Sequence, residues 1–127
     1  MHINGEGVEF SPGLHFKYLR RSAEEGYSVA QHLLGVAFQE GKLVKKNYMQ
    51  ALAWFRQAAK NGYPVSYYNA GIVLHEGGHG LKPNKMFALT QYMSAYKYGA
   101  LFLQETIEPL MEELKAEGHR LPKVTFP

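Results

Sequence analysis

The chain repeats itself every 36 residues, and a period of that length admits only stacked supersecondary units. Ala30-Gln31-His32-Leu33-Leu34-Gly35-Val36-Ala37-Phe38-Gln39-Glu40-Gly41 aligns with Ser66-Tyr67-Tyr68-Asn69-Ala70-Gly71-Ile72-Val73-Leu74-His75-Glu76-Gly77 at a constant offset of 36. Small matches small at Ala30/Ser66, Gly35 matches Gly71, Phe38 matches Leu74 and Gly41 matches Gly77. The second half of the unit occurs three times, as Tyr18 to Gly26, Trp54 to Gly62 and Gln91 to Gly99, at offsets of 36 and then 37. The additional residue falls between Gly77 and Leu81, where a connecting loop absorbs it. Gly5 and Val8 stand 36 before Gly41 and Val44, so the sequence opens inside a unit, at its loop.

Each unit divides into two helices. Leu19/Ser22/Ala23, Phe55/Ala58/Ala59 and Tyr92/Ala95/Tyr96 all fall at i, i+3, i+4, the spacing of one helix face. Asn47 and Asn84 precede two of these helices and Ser11 precedes the first, each able to accept from a free N–H of the opening turn. Pro12 follows Ser11 directly, where its missing N–H costs nothing. Gly26, Gly62 and Gly99 stand where a left-handed residue ends a helix. The other helix of each unit is expected from about Val29 to Gln39 and from about Val65 to His75, with Gly35 and Gly71 inside it. A mid-helix glycine costs about 1 kcal/mol relative to alanine, which predicts that a neighbouring helix packs closely at these two points. Leu101 to Gly118 is also helical by pattern, with Leu110, Met111 and Leu114 on one side and a new helix start at Pro109. This stretch departs from the repeat and reads as a C-terminal cap over the last core face. The expected organisation is a partial repeat at 1–26, repeats at 27–62 and 63–99, a cap at 100–119 and a tail at 120–127.

Composition removes several classes. The 127 residues are 46% hydrophobic and 20% charged, ordinary for a globular domain. No apolar run approaches the roughly 20 residues of a membrane helix, and the opening Met1 to Gly7 has neither the basic nor the apolar region of a secretory signal. Cysteine is absent, which excludes disulfide and thiolate chemistry and fits a reducing, cytoplasmic setting. The net charge of +3, with Lys42, Lys45, Lys46, Lys82 and Lys85 in or beside loops, falls short of the basic face that nucleic acid requires. Membrane and nucleic acid are therefore disfavoured as partners. No phosphate loop, nucleotide fingerprint or Ser/His/Asp order is present, so no cofactor and no catalytic residue is expected.

These residues resemble the Sel-1-like repeat, a relative of the tetratricopeptide repeat, whose pattern is A-x-x-x-L-G-x-x-Y-x-x-G-x-G-V, a polar loop, then A-x-x-W-[FY]-x-x-A-A-x-x-G. Ala30, Leu34, Gly35, Phe38, Gly41, Val44, Ala51, Trp54, Phe55, Ala58, Ala59 and Gly62 match it almost completely. Ser66, Ala70, Gly71, Leu74, Gly77, Gly80, Leu81, Ala88, Tyr92, Ala95 and Gly99 match it more loosely, and Asn4-Gly5-Glu6-Gly7-Val8 resembles its loop. The resemblance spans about residues 4 to 99. It implies an all-α, short right-handed α-solenoid of antiparallel helix pairs with a concave face, closed here by a capping helix. It also implies a protein-interaction module, acting as an adaptor, a scaffold or an inhibitor of the immunity type.

One motif points elsewhere. His75-Glu76-Gly77-Gly78-His79 spells H-E-x-x-H, which in zinc hydrolases places two imidazoles on one helix face and leaves the glutamate as general base. That geometry needs helix between the two histidines, and Gly77-Gly78 followed by Gly80 is poor helix material. The repeat register also assigns Gly77 to Gly80 to the loop. Metal-dependent hydrolysis is the alternative these objections weaken, and no metal ligand is assigned.

In tetratricopeptide-like units the first helix lines the groove. By that analogy the partner-binding residues are His32, Val36, Gln39 and Glu40 from one unit and Tyr68, Ile72, His75 and Glu76 from the next, holding another protein or peptide. Phe16, Phe38, Trp54, Phe55, Tyr92 and Tyr96 are assigned to the packed faces by their helical spacing. The helix from about Ser11 to Glu25 has no partner helix before it. Leu14, Phe16 and Leu19 at that edge make it a candidate for a homodimer contact.

Overall fold

The computed structural model describes residues 12–123. Six α-helices follow one another: α1 Pro12–Glu24, α2 Ser28–Glu40, α3 Tyr48–Lys60, α4 Val65–Glu76, α5 Lys85–Lys97 and α6 Gln104–Ala116, with a short 3-10 turn at Leu101–Leu103 before α6. Among the described residues the only β pairing is an isolated bridge between Gly78 and Leu81. Each helix packs chiefly on the next in sequence, the nearest-neighbour pattern of a repeat protein. The fold is all-α, a short right-handed α-solenoid of antiparallel helix pairs.

The repeat dictates how the pairs lock. Phe55 is fully buried and lies against Gly35 so closely that a Cβ there would stand 2.7 Å from its ring. Tyr92 occupies the same place against Gly71, where a Cβ would stand 2.5 Å from the ring. The close neighbour expected at both glycines is therefore an aromatic ring from the following helix. Phe38 and Tyr92 are buried, while Phe16, Trp54 and Tyr96 pack on the core from its margin.

Local signals hold the boundaries. Asn47 Oδ1 accepts from the Gln50 N–H at 3.0 Å, and Asn84 Oδ1 from the Phe87 N–H at 2.9 Å. The same two residues donate their own N–H groups back to Phe38 and Leu74, at 2.9 and 2.8 Å. Each unit thus ties its second helix to its first in the same way. Gly26, Gly62 and Gly99 take φ of 99°, 100° and 112°, the left-handed values their positions require. Ser11 lies outside the described residues.

Two features depart from the sequence reading. Pro109 lies inside α6, which begins five residues earlier at Gln104. The missing N–H is tolerable because Pro109 is on the exposed side, where water reaches the carbonyl left unpaired. The cap also packs on α5 as α4 packs on α3, so it takes the place of a further first helix. Gln91, which stands 37 after Trp54, is buried, and its Oε1 has no partner among the described residues.

Candidate functional site

Helices α2 and α4 turn corresponding sides outward. Along α2 the outward residues are Val29, Leu33, Val36 and Glu40, at i, i+4, i+7 and i+11. Along α4 they are Val65, Asn69, Ile72 and Glu76, each 36 later. Val29, Leu33 and Val65 are about half exposed, whereas Val36 and Ile72 rest partly against the core. The strip is apolar on α2 from Val29 to Val36, is interrupted on α4 by the polar Asn69, and is acidic at Glu40 and Glu76. Glu40 pairs with Lys42 at 3.8 Å.

The other four expected partner-binding residues look sideways, into the junctions between helices. His32 Nδ1 lies 2.7 Å from Ser66 Oγ on α4, and its ring sits 5.4 Å from Phe55 and 4.9 Å from Tyr63. Burial among these groups holds the imidazole below its usual pKa. Gln39 accepts from Asn69 Nδ2 at 3.2 Å. Tyr68 meets Phe102 edge to face at 5.3 Å and lies 6.2 Å from Tyr92. His75 packs on Tyr92, with Nδ1 3.3 Å from the phenol oxygen. Burial, then the nearby Tyr68 and Glu76, push the Tyr92 phenol up to about 12.

The H-E-x-x-H segment has a different geometry from the one its spelling suggests. α4 ends at Glu76, and Gly77, Gly78, His79 and Gly80 all take positive φ, between 50° and 95°. The two imidazoles therefore share no helix face. His75 turns to Tyr92, as above. Glu76 accepts from the Tyr48 hydroxyl at 2.9 Å, and burial, then this bond and the carboxylate charge, raise that phenol's pKa. The His79 ring lies 4.8 Å from Tyr48, and its carbonyl accepts the Tyr48 N–H at 2.8 Å. The loop clasps the first residue of α3. Among the described residues no group of three or more His, Cys, Asp or Glu side chains is placed to hold a metal.

Sequence reasoning passed over Val29, Leu33, Val65 and Asn69. The signal was available: stepping back from Val36 by three and seven residues reaches Leu33 and Val29. It also passed over Phe102, which no pattern marked because the cap departs from the repeat.

The Sel1 repeat family model matches residues 1–27, 28–63 and 64–90. Among solved structures, a protective antigen present in uropathogenic Escherichia coli strains, displaying an SLR fold, is 32% identical over 75% of this chain and 20% of its own, with a TM-score of 0.66. A Sel1 repeat protein from Oxalobacter formigenes is 29% identical over 81% of this chain and 42% of its own, with a TM-score of 0.68. The chain thus spans less than half the length of either. A search of curated proteins returns no match. With the 36-residue period, the aromatic rings seated on helix glycines and three successive family matches in agreement, the chain belongs to the Sel1 repeat family.

Proposed function

We propose that this chain holds a partner protein or peptide along the outward side of α2 and α4, serving as an adaptor, a scaffold or an immunity-type inhibitor. Sel1 repeat proteins are generally protein-interaction modules. The observation that carries the reading is the half-exposed strip of Val29, Leu33 and Val65, which lies beside Val36 and Ile72 and spans two repeats. Val29 and Leu33 lie one turn apart on α2, and exposed apolar surface shared by neighbouring turns is the kind that interaction sites use. Of the eight residues expected to bind, Val36, Glu40, Ile72 and Glu76 belong to the strip. His32, Gln39, Tyr68 and His75 set the spacing of the helices that carry it. The lack of cysteine supports action in the cytoplasm.

The test is capture from lysate of the native source by the wild type and by Leu33→Glu/Glu40→Lys. Both substituted residues are exposed, so the variant should keep its melting temperature. The reading expects one protein to be captured stoichiometrically by the wild type and lost with the variant. Equal capture by both would remove the strip from consideration. A second reading rests on α1, where Leu14 and Tyr18 are about half exposed. Self-association there predicts dimers in light scattering, and a monomer at high concentration would exclude it.

A further inference from the structure

The first and last of the described helices carry opposite charge. α1 packs through Phe16, Leu19 and Ala23. Its other side presents Leu14, Lys17, Tyr18 and Arg21, at i, i+3, i+4 and i+7. All four are exposed, Leu14 at 48% and Tyr18 at 55%. Arg20 is paired with Glu24 at 3.4 Å, whereas Lys17 and Arg21 have no ion pair among the described residues. The outer side of α1 is thus an aliphatic chain and an aromatic ring set between two uncompensated cations.

α6 shows the converse. Glu113 on its flank is taken by Lys85, which also reaches Glu117 at 3.6 Å, so this helix already holds one lysine through its carboxylates. Glu105 and Glu108, exposed on another side, have no ion pair among the described residues. They border an open pocket of about 520 Å³ lined by Leu101, Phe102, Gln104, Glu105, Glu108 and Pro109. Leu101 and Phe102 are 61% and 62% exposed. Glu108 accepts from Gln104, a neutral donor that leaves its charge in place. The pocket therefore offers apolar surface beside two carboxylates, and no cation lines it. Within one chain α1 packs chiefly on α2, and α6 on α5 and the 3-10 turn, with α2 to α5 between them.

We propose that copies of this chain join head to tail, with Leu14 and Tyr18 of one copy in the pocket of Leu101, Phe102 and Pro109 of the next. Lys17 and Arg21 then meet Glu105 and Glu108. The inference rests on the reading of α1 as a self-association edge and names the surface that edge meets. The occupant is a second copy because both halves of the match lie on this chain. Charge complementarity across a contact fixes orientation and suppresses wrong pairings. Two α1 helices set face to face would place cation against cation, which disfavours a symmetric pair. The head-to-tail contact is heterologous: a pair of copies keeps one α1 and one pocket unused, so assembly does not close at the dimer.

The experiment is sedimentation equilibrium of the full chain over a wide concentration range, at low and at high salt. The average mass is expected to rise past that of a dimer with concentration and to fall when salt screens the pairs. Lys17→Glu/Arg21→Glu and Glu105→Lys/Glu108→Lys should each weaken association by about tenfold. A mixture of the two variants should regain it, because each then meets its opposite charge. All four positions are exposed, so melting temperatures should match the wild type, and association of the mixture shows independently that both variants are folded. Tyr18→Ala should also weaken association by about tenfold. Association that stops at the dimer, that Glu105→Lys/Glu108→Lys leaves unmoved, or that the mixture fails to regain would overturn this joint and leave α1 as a self-association edge. A monomer at every concentration would overturn both.

Discussion

At the scale of single residues, the two glycine seats make the strongest statement. Gly→Ala inside a helix ordinarily stabilises by about 0.5–1 kcal/mol. At Gly71 the added methyl would stand 2.5 Å from the buried Tyr92 ring. Gly71→Ala is therefore expected to destabilise by about 1–3 kcal/mol in a denaturant titration, the usual cost of overpacking. A gain instead would mean that the ring yields. His32 gives a second prediction with a definite sign. Burial lowers its folded pKa, whereas the unfolded chain returns to 6.5. Between those values the unfolded chain binds a proton that the folded chain refuses. Stability from this group is full above the unfolded value and declines as pH falls below it toward the folded one. Melting temperatures from about pH 7.5 to about 5.5 should fall more steeply for the wild type than for His32→Gln. Residue roles were legible where the period speaks, as at Gly35, Gly71 and Asn47. They were not where a side chain's partner comes from another unit: nothing local announces that His32 meets Ser66, or that Glu76 meets Tyr48.

At the scale of elements, caps and loops decide where helices begin and end. Asn47→Ala and Asn84→Ala should each cost about 1 kcal/mol by denaturant unfolding. The double variant should cost their sum, because the caps lie in separate units and share no partner. The loop after α4 is held to α3 by ring contact, carboxylate and backbone at once. If packing on Tyr92 and Tyr48 is all that His75 and His79 serve, zinc chloride leaves the melting temperature unmoved. A zinc-dependent rise abolished by His75→Ala would restore the metal-site reading. Element order could be read directly from the period, since caps and left-handed glycines recur at fixed places. The start of α6 could not, because proline is a boundary signal that an exposed helix face can overrule.

At the scale of the whole molecule, stability is a sum over neighbouring pairs. α1 contributes only Ala23 as a buried residue, whereas α2 through α5 each bury at least five. Native-state hydrogen exchange should therefore show α1 opening at a lower free energy than α2 to α5. Uniform protection across all helices would indicate one cooperative block. This gradient was partly visible in the sequence, where α1 carries Leu19 at the place that Phe55 and Tyr92 hold in α3 and α5. The sequence did not show that the cap packs as a further first helix, because the register there survives in position and not in residue type.

The buried amide of Gln91 bears on how this chain can change. Its oxygen has no hydrogen-bond partner among the described residues, and a buried acceptor so placed costs about 1–3 kcal/mol that a hydrocarbon of similar volume would not carry. Gln91 stands where the family pattern asks for tryptophan, so the penalty belongs to this chain and not to the architecture. Gln91 is therefore a place of evolutionary slack. A lineage under heat stress has a single-step improvement waiting there, out of reach of any partner on the outward strip.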